Sequence, residues 1–368
     1  MKKIIFSFSF LCVVAGSFIF NACKTDFDIT TDYQITPIIF GLLDQNEEYH
    51  YIRINKTFLG QGNAFDFAQV DDSSYFNTVD ATITEILAGG GQGRVWTLRD
   101  TILENKNENG VFYAPAHKLY YFYTDNNTEP LIDDATYRFN ANLNNGQYTV
   151  VGRTQLVRGV SIISPTMQST FGFKGVQPGD YKGVPVNWSV AQGAGGRNSR
   201  YNVKMVFHYD EISGGVTTSK SFTWNLAELS GESFTGATIG VSAAGQQFYE
   251  LVKARIPIDN SVTRRIHTYF EIKLTAGSSD LSNYMLATQP ASSLAQSKPV
   301  FTNLEGAIGL FSARYTETRV KFFIDPEVQN WRTLDKNSTK ELCEGPFTFE
   351  LKFCSNHPAD NSESYRCN

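Results

Sequence analysis

Tyr137-Arg138-Phe139-Asn140-Ala141-Asn142-Leu143-Asn144-Asn145-Gly146-Gln147-Tyr148-Thr149-Val150-Val151-Gly152-Arg153 is the stretch that decides the fold class. Tyr137, Phe139, Ala141 and Leu143 alternate with Arg138, Asn140 and Asn142, a period of two with one apolar face. Asn144-Asn145-Gly146 supplies residues that accept a left-handed backbone, so the chain turns back through Gln147 to Arg153 as a β-hairpin. The same alternation recurs at Tyr201, Val203, Met205, Phe207 and Tyr209. It returns at Ile266, Thr268, Phe270, Ile272 and Leu274, which predicts His267, Glu271 and Lys273 on the opposite face. Phe347, Phe349, Leu351 and Phe353 predict a last strand. One apolar face per strand is the signature of half-buried antiparallel sheet.

Helical spacing is confined to two short segments. Gln246 to Arg255 brings Phe248, Leu251, Val252 and Arg255 together before Pro257 stops it, and Ser279 is placed to cap a helix carrying Leu281, Tyr284 and Met285. The expected fold is therefore mainly β. Residues 36–157 hold seven or eight short strands separated by turn signals, which predicts an immunoglobulin-like β-sandwich. Residues 158–183, where Ser164-Pro165 and Gln177-Pro178-Gly179 fall, are expected as a linker. Residues 184–368 are expected as a larger β-rich domain bearing the two helices and a disulfide-stapled tail.

The balance of residues agrees with strands and turns: 28 Phe and 18 Tyr stand against 4 Met. No basic run interrupts a chain of formal charge −5, which argues against nucleic-acid binding, since that needs clustered Lys and Arg.

The N-terminus carries an address. Met1-Lys2-Lys3 is cationic, Ile4 to Phe20 is nearly all apolar, and Phe20-Asn21-Ala22-Cys23 leads at once into polar sequence. This is the layout of a secretory signal, and a cysteine directly after a small residue resembles the lipobox of bacterial lipoproteins. On that resemblance residues 1–22 are the signal peptide, Cys23 is the lipidated mature N-terminus, and residues 23–35 are a tether. A retained transmembrane helix is the competing reading, at roughly the 17-residue lower limit for a span. Removing residues 1–22 takes two lysines and no acid, moving the formal charge from −5 to −7. Lys24-Thr25-Asp26-Phe27-Asp28 is similar to the lysine-plus-acid export signals of Bacteroidota surface lipoproteins, although Thr25 and Phe27 interrupt the acids. Simple solubility of the tether is the alternative. The expected location is the outer membrane, lipid-anchored and facing the cell exterior.

Three cysteines remain near the C-terminus once Cys12 is removed and Cys23 is lipidated: Cys343, Cys354 and Cys367. In an oxidising envelope an odd number implies one disulfide and one thiol, or an intermolecular link. Cys354 with Cys367 staples the polar tail Ser355 to Arg366 back to the preceding strand; a bridge through Cys343 is the alternative. Their spacing is far longer than that of zinc ligands.

Several stretches together resemble a known family. These are Ile38 to Leu43, Tyr49-His50-Tyr51-Ile52-Arg53-Ile54, Val79 to Thr84, the Tyr137 to Thr154 hairpin, and Pro299 to Phe311, within which Asn303 to Phe311 is the most specific. The family is one of Bacteroidota outer-membrane lipoproteins catalogued as a domain of unknown function, often encoded beside TonB-dependent receptors. The resemblance covers most of the mature chain and departs from it after about Asp325. It implies envelope location, β-sandwich architecture and partnership with an outer-membrane β-barrel receptor, and it brings no catalytic residues.

Candidate chemistry is sparse. The five histidines (50, 117, 208, 267 and 357) are scattered, with no His-Glu-x-x-His pattern, and no Gly-x-Ser-x-Gly elbow is present. Gly89-Gly90-Gly91-Gln92-Gly93 precedes a strand and lacks the Lys-Ser/Thr of a phosphate loop, so it reads as a hairpin loop, and Gly193 to Gly196 as a surface loop. Asp71-Asp72, Asp125 to Glu129 and Asp133-Asp134 could offer oxygen ligands to calcium, or serve as ordinary Asx turns. Tyr120-Tyr121-Phe122-Tyr123 is an aromatic strand; Tyr121 and Tyr123 are the candidate glycan-stacking residues, unless that face meets a neighbouring domain.

No cofactor and no catalytic residue is expected. The leading expectation is a non-enzymatic lipoprotein acting as a binding or accessory component for a TonB-dependent receptor. The alternatives are a surface glycan-binding or glycan-cleaving lipoprotein and a structural or adhesion module.

Overall fold

The computed structural model describes residues 34–58, 63–110, 112–166, 169–191, 198–230, 238–289, 301–322 and 332–367. The leader, Cys23, most of the tether and the Gly193 to Gly196 loop lie outside these. Among the described residues no helix is long and apolar enough to cross a membrane.

Sixteen strands are described: β1 (Pro37–Asp44), β2 (Tyr49–Lys56), β3 (Val79–Ile86), β4 (Gln92–Thr97), β5 (Arg99–Leu103), β6 (His117–Tyr123), β7 (Thr136–Leu143), β8 (Tyr148–Gln155), β9 (Val160–Ser164), β10 (Gly183–Val190), β11 (Arg200–Ser213), β12 (Val216–Ser230), β13 (Thr238–Ala244), β14 (Val262–Gly277), β15 (Leu304–Glu305) and β16 (Ile308–Phe322). The helices are α1 (Ala64–Ala68), α2 (Asp71–Ser74), α3 (Gly245–Arg255), α4 (Ser279–Thr288) and α5 (Lys336–Glu344). The fold is mainly β.

The first half is an immunoglobulin-like sandwich of eight strands. One layer runs β5-β6-β2-β1 and the other β4-β3-β7-β8. The deciding hairpin forms as its pattern predicts. Leu143 pairs with Tyr148, and Asn144, Asn145 and Gly146 all take positive φ (49°, 57° and 85°). Asn and Gly are the residues that tolerate this backbone. Tyr137, Phe139, Ala141 and Leu143 of β7 are buried against Ile39, Ile52, Ile54 and Phe122 of the facing layer. The glycines at 89–91 form the β3–β4 turn, as their lack of a phosphate-loop signature implies.

The sandwich is not complete within residues 36–157. β16 pairs in parallel with β1, Ile38 opposite Ile308 through Asp44 opposite Arg314. Through it the layer continues into β14, β11 and β12 as one eight-stranded sheet. Just before this, β15 pairs with β8 in the other layer, so the chain changes sheets across Gly306 and Ala307. Asn303 holds that crossing: its Nδ2 donates to Phe311 O (2.7 Å) and its Oδ1 accepts the Phe311 N–H (3.0 Å). Gly306 (φ 78°) and Gly309 (φ 116°) leave no room for a side chain, since a Cβ would stand 2.3 Å from Thr149 O and 1.9 Å from Ile39 O.

Residues 158–183 are corrected from a linker to part of the core. They carry β9, and Phe171 and Phe173 are fully buried, Phe173 stacked on Phe248 of α3 at 4.5 Å and Phe171 edge-on to Phe270 at 4.8 Å. Ser, Gly and Pro there mark turns between buried aromatics rather than a solvated joint.

Two further strand readings are revised. In β14 a bulge at Thr268 sets Tyr209 opposite His267 but His208 opposite Tyr269. One extra residue inverts the alternation, so Arg265 and His267 are buried on the core side along with Phe270, Ile272 and Leu274. The segment after Gly345-Pro346 is no strand: Phe349–Leu351 is a 3-10 turn and Lys352 is left-handed (φ 58°). Of its alternating apolar residues only Leu351 and Phe353 are buried.

Helix α3 begins at Gly245, one residue before its expected start, and ends at Arg255 as expected. α4 is capped by Ser278, one residue before the expected cap, whose Oγ accepts the Leu281 N–H. A third helix of that size, α5, was not legible from spacing. Asp335 caps it and leads into a tail closed by a Cys354–Cys367 disulfide, with Cys343 free and buried.

Candidate functional site

Strands β2 and β6 are neighbours in space although β3, β4 and β5 lie between them in the chain. Each alternates where the two pair, over Tyr49–Ile52 and Tyr120–Tyr123. His50, Ile52 and Ile54 of β2 and Tyr120 and Phe122 of β6 face the core. That leaves Tyr49, Tyr51, Tyr121 and Tyr123 on the outer face. The antiparallel register sets Tyr49 opposite Tyr123 and Tyr51 opposite Tyr121. Cross-strand aromatic pairs of this kind stabilise sheet by roughly 0.2–1 kcal/mol each.

The four rings form one platform. Centroids are 5.1 Å apart for Tyr49 and Tyr123, 5.9 Å for Tyr49 and Tyr121, and 6.0 Å for Tyr51 and Tyr121. Tyr49 and Tyr51 lie nearly parallel at 6.4 Å. Three of the rings are well exposed: Tyr49 51%, Tyr51 40% and Tyr123 46%. Single exposed aromatics are ordinary, whereas a contiguous group marks a contact surface.

A groove borders the platform on each side. The one toward β1, about 580 Å³, is lined by Phe40, Leu42, Glu47 and the buried Asp44, whose carboxylate holds Arg314 at 3.2 Å. The one toward β4, about 440 Å³, is lined by Trp96 and Arg99. Partial desolvation, then the carboxylates of Glu48 and Asp125, raise the Tyr123 phenol above its ordinary value. The phenol is therefore a neutral hydrogen-bond donor at physiological pH.

The structure thus joins Tyr121 and Tyr123, which the sequence singles out, to Tyr49 and Tyr51, which it does not. The signal for the second pair was present in the alternation of Tyr49-His50-Tyr51-Ile52, but nothing local said that β2 lies beside β6.

Several of the remaining candidates hold structural roles. Asp125 accepts the Asn127 and Thr128 N–H groups at 2.9 and 3.3 Å, an Asx turn. Asp133 and Asp134 pair with Arg158, and Asp71-Asp72 lie in α2. Among the described residues no three His, Cys, Asp or Glu side chains gather as a metal site would require. His50 and His267 sit in the core. Burial pushes His50 down to about 4 and His267 to about 3, the latter despite its contact with His208 O. The buried Ser355–Asp360–Tyr365 cluster, tied to Arg332, anchors the disulfide-closed tail.

No protein-family model and no curated protein matches the chain. Among solved structures, it is similar to the C-terminal globular domain of an oligosaccharyltransferase from Pyrococcus abyssi (10% identity, 63% of this chain and 43% of that one, TM-score 0.23). It is also similar to a DUF4785 family protein from Legionella pneumophila (14% identity, 62% and 49%, TM-score 0.16). A third is a two-domain fibronectin type III segment of chicken tenascin (10% identity, 66% and 90%, TM-score 0.14). The chain spans less than half the length of the first two, and likenesses this slight carry no argument.

Proposed function

We propose that this chain is a lipid-anchored, non-catalytic binding protein of a bacterial outer membrane, held by Cys23 and facing outward, that serves as an accessory component of a TonB-dependent β-barrel receptor. The observation that carries the binding role is the four-tyrosine platform, an amphipathic aromatic surface of the kind enriched where proteins meet partners. The lipobox-like leader supports the anchorage, and the family resemblance supports the receptor. Asp125, Asp133, Asp134, His50 and His267 are engaged in a turn, ion pairs and core packing, which fits a non-catalytic reading.

The test is crosslinking in intact cells of the C-terminally tagged, lipidated protein, followed by mass spectrometry. A β-barrel receptor recovered at near-equal abundance is the expected result. Recovery of the protein alone overturns the accessory role. A second reading, direct capture of a surface glycan, is favoured specifically by exposed tyrosines, whose faces stack and whose hydroxyls hydrogen-bond.

A further inference from the structure

We propose that Tyr49, Tyr51, Tyr121 and Tyr123, with the grooves on either side, form a binding site for a neutral, extended oligosaccharide; the inference rests on the second reading above.

Ring geometry comes first. Neighbouring centroids lie 5.1–6.4 Å apart, with ring planes tilted 44–59° across the strands and 18° between Tyr49 and Tyr51, so the rings make a faceted aromatic surface against which the apolar faces of a sugar chain can pack. The rings stand on two hydrogen-bonded strands of a continuous sheet. Their positions are set by the register rather than by a loop, which limits the ordering cost of binding.

Charge selects the ligand class. One groove presents Glu47 and the Asp44–Arg314 pair, and the other presents Arg99. Glu48 and Asp125 stand beside Tyr123. Acceptors and donors are thus mixed around the aromatic centre. A polyhydroxyl chain satisfies both signs, donating to carboxylates and accepting from guanidinium and phenol groups. A polyanion meets Glu47, Glu48 and Asp125 at close range, and single-stranded nucleic acid lacks the positively charged groove it requires.

The test is affinity electrophoresis of the full-length lipidated protein in detergent. The gels contain soluble neutral hexose polymers, a uronic-acid polymer or a proline-rich peptide. Retardation by a neutral polymer is expected. The Tyr49→Ala/Tyr121→Ala variant should weaken it by about tenfold or more, while thermal unfolding stays cooperative and falls only by the small contribution of the two lost cross-strand pairs. Tyr51→Phe/Tyr123→Phe, which keeps the rings and removes hydroxyls, should weaken it only a few-fold.

No retardation by any neutral polymer overturns the proposal. So does binding that survives the double alanine variant, or binding confined to the uronic-acid polymer or the peptide. Receptor recovery in the crosslinking experiment is read independently, so a protein that binds no glycan yet copurifies with a receptor sinks this inference alone.

Discussion

Lowering the pH from 7 to 5 should cost this fold about 4 kcal/mol, through two buried histidines. His267 stacks on Phe207 at 4.7 Å with Nδ1 3.0 Å from His208 O, and His50 stacks on Phe122 at 4.6 Å with Nε2 2.9 Å from Thr124 Oγ1. Burial holds them at about 3 and about 4 in the folded protein, against roughly 6.5 when exposed. Between those limits the unfolded chain binds protons that the folded chain refuses. Stability is therefore full above the exposed value and falls as pH drops toward the folded values.

Each pH unit below 6.5 costs about 1.4 kcal/mol per histidine, hence about 2 kcal/mol apiece at pH 5. His117 is lowered as well, by burial and by Lys106 and Arg53, and adds in the same direction. Glu85 and Glu211 are held below the usual carboxylate range, Glu85 by Arg94 and Glu211 by Lys220 and Arg265, each against the opposing effect of burial. Their stabilisation is lost only below about pH 4.5, so the window above pH 5 belongs to the histidines. Urea titrations at pH 7, 6 and 5 measure the slope. His267→Gln, which retains a donor for His208 O, should remove about half of it while lowering stability at pH 7. A wild-type curve that is flat from pH 7 to 5 refutes the reasoning, as does a variant with the full wild-type slope.

Gly309→Ala should destabilise by about 2–4 kcal/mol, because a Cβ would meet Ile39 O on a backbone at φ 116°; thermal unfolding checks this. Arg265→Ala should cost about 3–5 kcal/mol. It strips the buried Glu211 of a 2.8 Å partner and frees Leu351 O and Pro257 O, and chemical denaturation against the Arg265→Lys variant reads the loss. Cys354→Ser should cost about 3 kcal/mol by opening a loop of sequence separation 13, seen as new protease cleavage within residues 355–366. Cys23→Ala should abolish labelling by a radioactive fatty acid and leave the leader of residues 1–22 uncleaved, seen as a heavier band on denaturing gels.

What was legible in the sequence was whatever short range decides. Alternation at Tyr137 to Leu143 and Tyr201 to Tyr209 specified strands with a known inward face, because side chains in a strand alternate whatever the neighbouring strand is. Asn144-Asn145-Gly146 specified the turn because few residues accept that backbone, and Pro257 stopped α3. The alternation at Phe347 to Phe353 misled because the chain there makes a 3-10 turn closed by a left-handed Lys352, which leaves Phe349 exposed while Leu351 and Phe353 enter the core. At Thr268 the pattern was real, but the bulge that inverts it depends on β11 alongside.

The sequence by itself determined a mainly β chain, the hairpins at residues 137–153 and around Gly89 to Gly93, two of its helices and the tyrosine pair on β6. Tertiary structure alone decided that β1 takes a parallel partner 270 residues later. It also decided that Phe171 and Phe173 enter the core and that Tyr49 and Tyr51 stand beside Tyr121 and Tyr123. The physical reason is one of range. Periodicity reports which face of a strand is buried, whereas strand order is chosen by the packing of the whole core, and the tyrosine platform exists only once that order is set.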